Sequence, residues 1–214
     1  SGFVEHSGAG AISGTYGLLT IDASGAWHYV AENDQAAVPQ LGQGDTLTDH
    51  FTITSVDGTK HSIDITLSGT NDVPVISQSS ITTGAITEDA TSNTVSGVLI
   101  ASDVDIGSQL GWSLVSASGV YGTLALDGTS GQWTYTLDNS RTATQGLADG
   151  QQVSERFSVL VTDEHGASAR QDVVISVRGT NDNPLLLNVP PLSVRDGGAV
   201  EHGQLNAADV DIRD

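Results

Sequence analysis

Two short acidic motifs, each present twice, hold the residues with the most chemical potential. The first is Gly-Thr-Asn-Asp-x-Pro, at Gly69–Pro74 and again at Gly179–Pro184. The second is Asp-Val-Asp, at Asp103–Asp105 and Asp209–Asp211. They offer carboxylates and amide carbonyls, and the chain contains no Cys. That donor set suits a hard cation. Calcium takes six to eight oxygens from carboxylates, amides, backbone carbonyls and water. Neither motif supplies so many alone, so a site has to be assembled from a linker and the two domains it joins. In an extended Asp-Val-Asp both carboxylates point the same way, because side chains alternate with period two, and both then reach one ion. Asn71, Asp72, Asn181, Asp182 and Asn183 add oxygens from the linkers, and Pro74 and Pro184 stiffen the exits. Glu88, Asp57 and Asp163 are the neighbours that complete the shell. Without an ion these carboxylates repel and the joint flexes; with one the joint locks. Extracellular sites of this type bind in the range of roughly 10⁻⁴–10⁻³ M. The pattern is neither an EF-hand loop nor a nonapeptide calcium roll.

The elements that must position these residues are visible as a long internal repeat. Residues 16–29 read YGLLTIDASGAWHY and residues 121–135 read YGTLALDGTSGQWTY. Tyr16 aligns with Tyr121, Trp27 with Trp133, Tyr29 with Tyr135 and Phe51 with Phe157, and the register runs on into the two linker motifs. ASDVDI at 101–106 recurs as AADVDI at 207–212. The spacing divides the chain into the C-terminal part of one repeat (1–72), a complete repeat (73–182) and the N-terminal strands of a further repeat (183–214). A unit of this length is too long for a solenoid repeat and suits a domain in a tandem array.

Within the unit the apolar residues alternate. Trp133, Tyr135 and Leu137 share one face, as do Phe157, Val159 and Val161, and Ile63, Ile65 and Leu67. Alternation of this kind predicts half-buried strands. Turn formers punctuate them at Asp22–Gly25, Asp57-Gly58, Asp127-Gly128 and Glu164–Gly166. The expected fold is all-β, a tandem of antiparallel β-sandwich modules with one complete and two partial repeats. Asn33–Leu41 and Asn139–Leu147 lack alternation. Each begins with an Asn able to cap a helix, so a helical turn is expected there, tucking Leu41 and Leu147 into the core. The recurring Trp133 and Tyr135 are expected in the core.

Charge narrows the partners. Acidic residues outnumber basic ones 26 to 7, a net charge of -19. Such a chain is repelled by nucleic acid and by anionic membrane, and no apolar run is long enough to span a bilayer. The expected immediate partners are neighbouring repeats of the same chain. Catalysis is not expected. The Asp103/Asp105 pair recurs in the next repeat, as a unique active site would not, and no hydrolase, P-loop or dinucleotide fingerprint is present.

The linker motif closing a repeat of this length, the Tyr-Gly…Asp…Gly…Trp…Tyr stretch in its middle and Val-Thr-Asp-x-x-Gly near its end resemble the VCBS-type, cadherin-like repeats of giant bacterial RTX adhesins. The resemblance spans the central repeat and both partial ones. It implies a cadherin/Ig-like sandwich and calcium ions at the junctions. One junction would use Asn71, Asp72, Asp103 and Asp105, with Asp57 nearby. The next would use Glu88, Asp163, Asn181, Asp182, Asn183, Asp209 and Asp211. Val73 stands where the second linker has Asn183, and Asp196 or Glu201 is the counterpart of Glu88 in the third repeat. The resemblance also implies secretion by the type I route, a place at the bacterial cell surface, service as an extender supporting adhesion and biofilm formation, and glycan or peptide of a host or biofilm as a partner engaged through other domains. The alternative is a ligand-binding module near the adhesin tip, for carbohydrate or peptide, with Trp112 as the candidate exposed ring. A partial sandwich leaves strand edges open, and residues 183–214 are candidates to complete residues 1–72, within the chain or between neighbours.

Overall fold

The alternating segments are strands in the computed structural model, which describes residues 2–187, 196–197 and 203–211. They run β1 (Ile12–Ser13), β2 (Gly17–Ile21), β3 (Trp27–Ala31), β4 (Thr46–Thr54), β5 (Lys60–Ser68), β6 (Val75–Ile76), β7 (Thr83–Thr87), β8 (Thr94–Val98) and β9 (Ala101–Ser102). They continue as β10 (Gly111–Leu114), β11 (Gly122–Leu126), β12 (Gln132–Leu137), β13 (Gln152–Thr162), β14 (Ser168–Arg178), β15 (Leu185–Leu187) and β16 (Asn206–Ala208). The one α-helix among the described residues, α1, is the single turn Thr142–Gln145. The chain is thus nearly all-β, and its several sheets are consistent with the expected β-sandwich modules.

Contacts gather the chain into two units. The first holds Ser1–Val75, Ala101–Gly111 and Val161–Ala169; the second holds Ile76–Ile100, Trp112–Leu160 and Arg170–Asp214. This division does not follow the repeat boundaries, because the turns carrying Asp103–Asp105 and Asp163 pack with the linker at Asn71-Asp72.

In the first unit, β1-β2-β3 form one sheet and β4-β5 a second, all antiparallel. Their facing rows supply the core: Leu19 and Ile21 from β2 meet Phe51 and Ile53 from β4, with Phe3, Ile12, Tyr29, Ile63 and Ile65 packed around them. Burial of such side chains stabilises by about 1.5–3 kcal/mol each. In the second unit the corresponding sheets carry additional strands. β8 joins β12 beside β11, antiparallel, and β7 joins β14 in parallel within the order β10-β13-β14-β7. Trp133, Tyr135, Val159, Val173, Ile175 and Val177 are fully buried there.

Both sandwiches hold a carboxylate in an inward strand position. Asp49 accepts from the Thr15 and Tyr16 amides and, at 2.8 Å, from the Tyr29 hydroxyl. Glu155 accepts from the Tyr121 amide and, at 2.7 Å, from the Tyr135 hydroxyl. Each carboxylate ties the loop ahead of the Tyr-Gly pair to the core and satisfies a buried phenol, which would otherwise carry a desolvation cost. Burial, and then the neighbouring carboxylate, push both tyrosines well above the ordinary phenol range.

The stretches without alternation divide. Asn139–Leu147 contains α1, and Leu147 is buried. Asn139 does not cap it: the residue preceding the helix is Arg141, with no side-chain cap, and Asp138 instead accepts from the Ser140 amide and hydroxyl. Residues 33–40 form consecutive turns rather than a helix, and Leu41 is half-buried. Val38 and Pro39 replace the Thr144 and Gln145 helical positions, and proline withholds an amide donor. At the C-terminal end, β15 pairs only with β16 among the described residues, and both strands are exposed.

Candidate metal centre

Two linker sites, one in each contact unit, are built on the same skeleton. In the first, the Asp72 amide donates to Asp105 Oδ2 at 2.9 Å, and the Asp105 amide donates to Asp103 Oδ1 at 3.1 Å. In the second, the Asp182 amide donates to Asp211 Oδ2 at 3.0 Å, and the Asp211 amide to Asp209 Oδ1 at 3.0 Å. Asn71 Nδ2 donates to the Asp72 carbonyl at 2.9 Å, and Asn181 Nδ2 to the Asp182 carbonyl at 2.7 Å. The linker is thereby clipped to the Asp-Val-Asp turn through backbone and carboxylate together. Glycine opens each linker motif because its neighbours leave no room: a Cβ on Gly69 or Gly179 would collide with the carbonyls of Leu41-Gly42 or Leu147-Ala148.

The Asp-Val-Asp segments differ from the extended form expected of them. The bond from each second amide to the first carboxylate makes an Asx turn, and the backbone bends over Val104-Asp105 and Val210-Asp211. The turn still leaves oxygens unused. Asp103 Oδ2 and Asp105 Oδ1 in the first site, and Asp182 Oδ2 and Asp211 Oδ1 in the second, are buried and accept no hydrogen bond. Asp105 and Asp211 are buried as whole residues too. A buried carboxylate oxygen without a donor is costly, and its usual remedies are a proton or a metal ion. The residues present therefore fit a calcium ion.

The sites differ in their third contributor. In the first, Asn71 Nδ2 also donates to Asp163 Oδ2 at 2.9 Å, while Asp163 Oδ1 accepts from the His165 and Ala167 amides. The Asn71 bond, ahead of those amides, holds the Asp163 carboxyl below the usual carboxylate range. The resemblance had assigned Asp163 to the following junction; here its partner is Asn71. In the second, Glu88 is 1% exposed, accepting from the Thr180 amide at 3.3 Å and from Gln145 Nε2 at 3.2 Å. Burial first, then the charges of Asp182, Asp89 and Asp211, push its carboxyl up to about 7. Asp182 is raised by burial and by the same neighbours. Glu88, Asp89 and Asp182 each bring an oxygen within 4.8 Å of the others.

The remaining expected ligands lie as follows. Asp57 accepts from Ser55 Oγ and the Thr59 amide of its own hairpin turn, and the Ser55 bond foremost lowers its carboxyl. No described bond joins it to Asn71, Asp72 or Asp105. Asn183 is exposed, as is its counterpart Val73. Asp196 lies in an exposed turn, and Glu201 falls outside the described residues. Asp22 and Asp127 cap their own turns. Trp112 is buried, so it presents no ring face, whereas Trp27 is 54% exposed. Asp89 was not among the expected ligands. Its signal is a left-handed backbone, φ 52°, at a non-glycine residue beside a buried glutamate, a conformation costing about 1–3 kcal/mol that clusters at functional sites.

The profile of the bacterial cadherin-like domain matches residues 71–179. No curated protein sequence matches the chain. Among solved structures, four extracellular cadherin domains of protocadherin gamma B7 align over 94% of this chain and 49% of theirs, at 16% identity and TM-score 0.48. Human CDH23 EC21-23 aligns over 92% of this chain and 66% of its own, at 15% identity and TM-score 0.48. Drosophila N-cadherin EC1-4 aligns over 86% and 43%, at 16% identity and TM-score 0.45. The chain spans about half the length of the first of these. No helix among the described residues is long and apolar enough to cross a membrane.

Proposed function

Because the chain belongs to the bacterial cadherin-like domain family, we propose that it is a calcium-stiffened structural module of an extracellular adhesion protein, an extender rather than an enzyme. The observation that supports this most is the set of four buried carboxylate oxygens without donors, two at each linker site. Asn71, Asp72, Asp103, Asp105 and Asp163 would hold an ion at the first. Glu88, Asp89, Asn181, Asp182, Asp209 and Asp211 would hold one at the second. The ion supplies positive charge where the chain concentrates negative charge, turning repulsion between linker and turn into attraction. The finer reading is a repeat of the VCBS type within an RTX adhesin, exported by type I secretion to the bacterial surface, where it supports adhesion and biofilm formation. In it, residues 73–182 are the complete repeat and neighbouring repeats are the immediate partners.

Calorimetry of the metal-free chain against calcium tests it. At affinities of roughly 10⁻⁴–10⁻³ M, about 10 mM calcium stabilises by about 1.4–2.7 kcal/mol per site, a rise of several degrees in Tm. Small-angle scattering should show a longer, less flexible particle. Identical melting curves in calcium and in EDTA would falsify the proposal.

A further inference from the structure

The cations of this acidic chain are not spread evenly. Of its 7 Lys and Arg residues, Arg156, Arg170 and Arg178 fall on β13 and β14. Both strands have neighbours on each side, in the order β10-β13-β14-β7. Their inward rows, Phe157 and Val159 with Val173 and Ile175, are buried, so Arg156, Arg170 and Asp172 stand on the outer face of the sheet. With Thr82, Thr83 and Val174 they line a cavity of about 490 Å³, within the size range of small-ligand sites. All of these residues lie inside the span 71–179 that the family profile matches.

The two guanidinium groups are not neutralised in place. Arg156 Nη1 lies 3.9 Å from Asp172 Oδ2, and Arg170 Nε lies 3.8 Å from Asp172 Oδ1, both beyond hydrogen-bond length. Asp172 Oδ1 instead accepts from Ser158 Oγ at 2.7 Å, and Ser158 Oγ accepts from Arg170 Nη2. Ser158 thereby fixes one guanidinium beside Asp172 while most of its donors stay free. The side chains of Arg156 and Arg170 are 70% and 64% exposed. One carboxylate between two cations leaves this cavity positive on a chain of net charge -19. The first sandwich fills the same positions differently. There His50 aligns with Arg156 and Lys60 with Arg170, and Asp64 stands opposite His50, bonded to its ring at 2.7 Å. The residue aligned with Asp64 is Val174, so the acid gives way to an apolar floor.

We propose that this cavity is a subsite for the carboxylate of an acidic saccharide, a uronate. Arg156 and Arg170 would share the carboxylate through charge-assisted hydrogen bonds, for which the planar guanidinium fork is suited. Thr82 and Thr83 offer hydroxyls to those of the sugar ring, and Val174 a floor for its C–H face. Gln171 Nε2 donates to the Asp172 carbonyl at 3.1 Å, which leaves its amide oxygen to accept from a sugar hydroxyl. An acidic peptide fits less well. β13 and β14 are paired on both sides, so the face offers no free row of amides and carbonyls for strand addition.

The test titrates trigalacturonate into the whole nitrogen-15-labelled chain, in EDTA, and reads the backbone amides. Those of Thr82, Thr83 and Arg170–Val174 should shift saturably, with half-saturation at about 1 mM, and those around Lys60 should not. Arg156→Gln and Arg170→Gln change exposed side chains and should leave Tm unaltered, yet each should weaken binding about tenfold. Asp172→Asn removes the competing charge and should tighten binding about two- to fivefold. Neutral trigalactose should produce no saturable shift. The proposal is overturned if the shifts appear only with calcium, because the carboxylate then sits on metal at a linker site. It is also overturned if both arginine variants bind as the parent chain does, or if a triglutamate peptide binds equally well. None of these outcomes bears on the rise in Tm with calcium, so this reading and the proposed function fail separately.

Discussion

The two sandwiches share a motif and differ in its fate. Trp27 and Trp133 occupy aligned positions on aligned strands, flanked by the same Tyr-Gly and Asp…Gly signals, yet one indole is in solvent and the other is sealed. What seals it lies elsewhere: β8, with Gly97 beneath the ring, and the Ile81 carbonyl. The motif aims the side chain at a core, and the edge strands decide whether that core closes. The linker sites show the same logic. Both repeat the Asp-Val-Asp clip, but one is completed by Asp163 and the other by Glu88 with Asp89.

The sharpest way to break this comparison is to remove each tryptophan in turn. Trp133→Ala deletes a fully buried ring and its hydrogen bond, and should destabilise the second sandwich by about 3–5 kcal/mol. Trp27→Ala removes a half-solvated ring and should cost less than about 1 kcal/mol. Native-state hydrogen exchange, read separately for core amides of each sandwich in urea, gives both values. Equal losses would mean that edge coverage does not set the strength of these cores.

The second effect belongs to the second linker site. Glu88 has its folded pKa pushed from an ordinary 4.5 up to about 7, so between those values the folded chain binds more protons than the unfolded one. The contribution of Glu88 to the stability of the metal-free protein is therefore full below about 4.5 and falls as pH rises toward 7, by about 3 kcal/mol at most. Glu88→Gln should flatten that slope, as should calcium, which takes over the proton's role. The first site has no buried glutamate among the described residues, and Asp163 is shifted the opposite way. Asp163→Asn should therefore leave the slope in place. A metal-free chain whose stability is level from pH 4.5 to 7 would remove the basis for treating Glu88 as a desolvated acid.

Much of this was legible in the residues. Strict alternation in Phe157–Val161 and Ile63–Leu67 fixes strands because a slip of one residue would turn every apolar side chain to water. The recurrence of Asn-Asp and Asp-Val-Asp marked both linkers. What escaped depends on distance through space. Nothing in the spacing says that Asp163 reaches Asn71, ninety-two positions away, or that Asp57 closes its own turn. Asp89 is one acid among many until its backbone is seen to be left-handed. The buried pair Asp49 and Glu155 did leave a signal, a carboxylate at the same inward strand position in both repeats. A lone acid between apolar residues reads as a surface charge unless its phenol partner is known.

That pair carries the smallest test. Tyr135 is fully buried and its hydroxyl is one of two donors to Glu155, so Tyr135→Phe should cost about 1–2 kcal/mol, partly from leaving a buried carboxylate oxygen bare. Tyr29 is only half-buried, and Asp49 keeps the Thr15 and Tyr16 amides when the phenol is lost, so Tyr29→Phe should cost about 0.5–1 kcal/mol. The same residue-resolved exchange measurement distinguishes them.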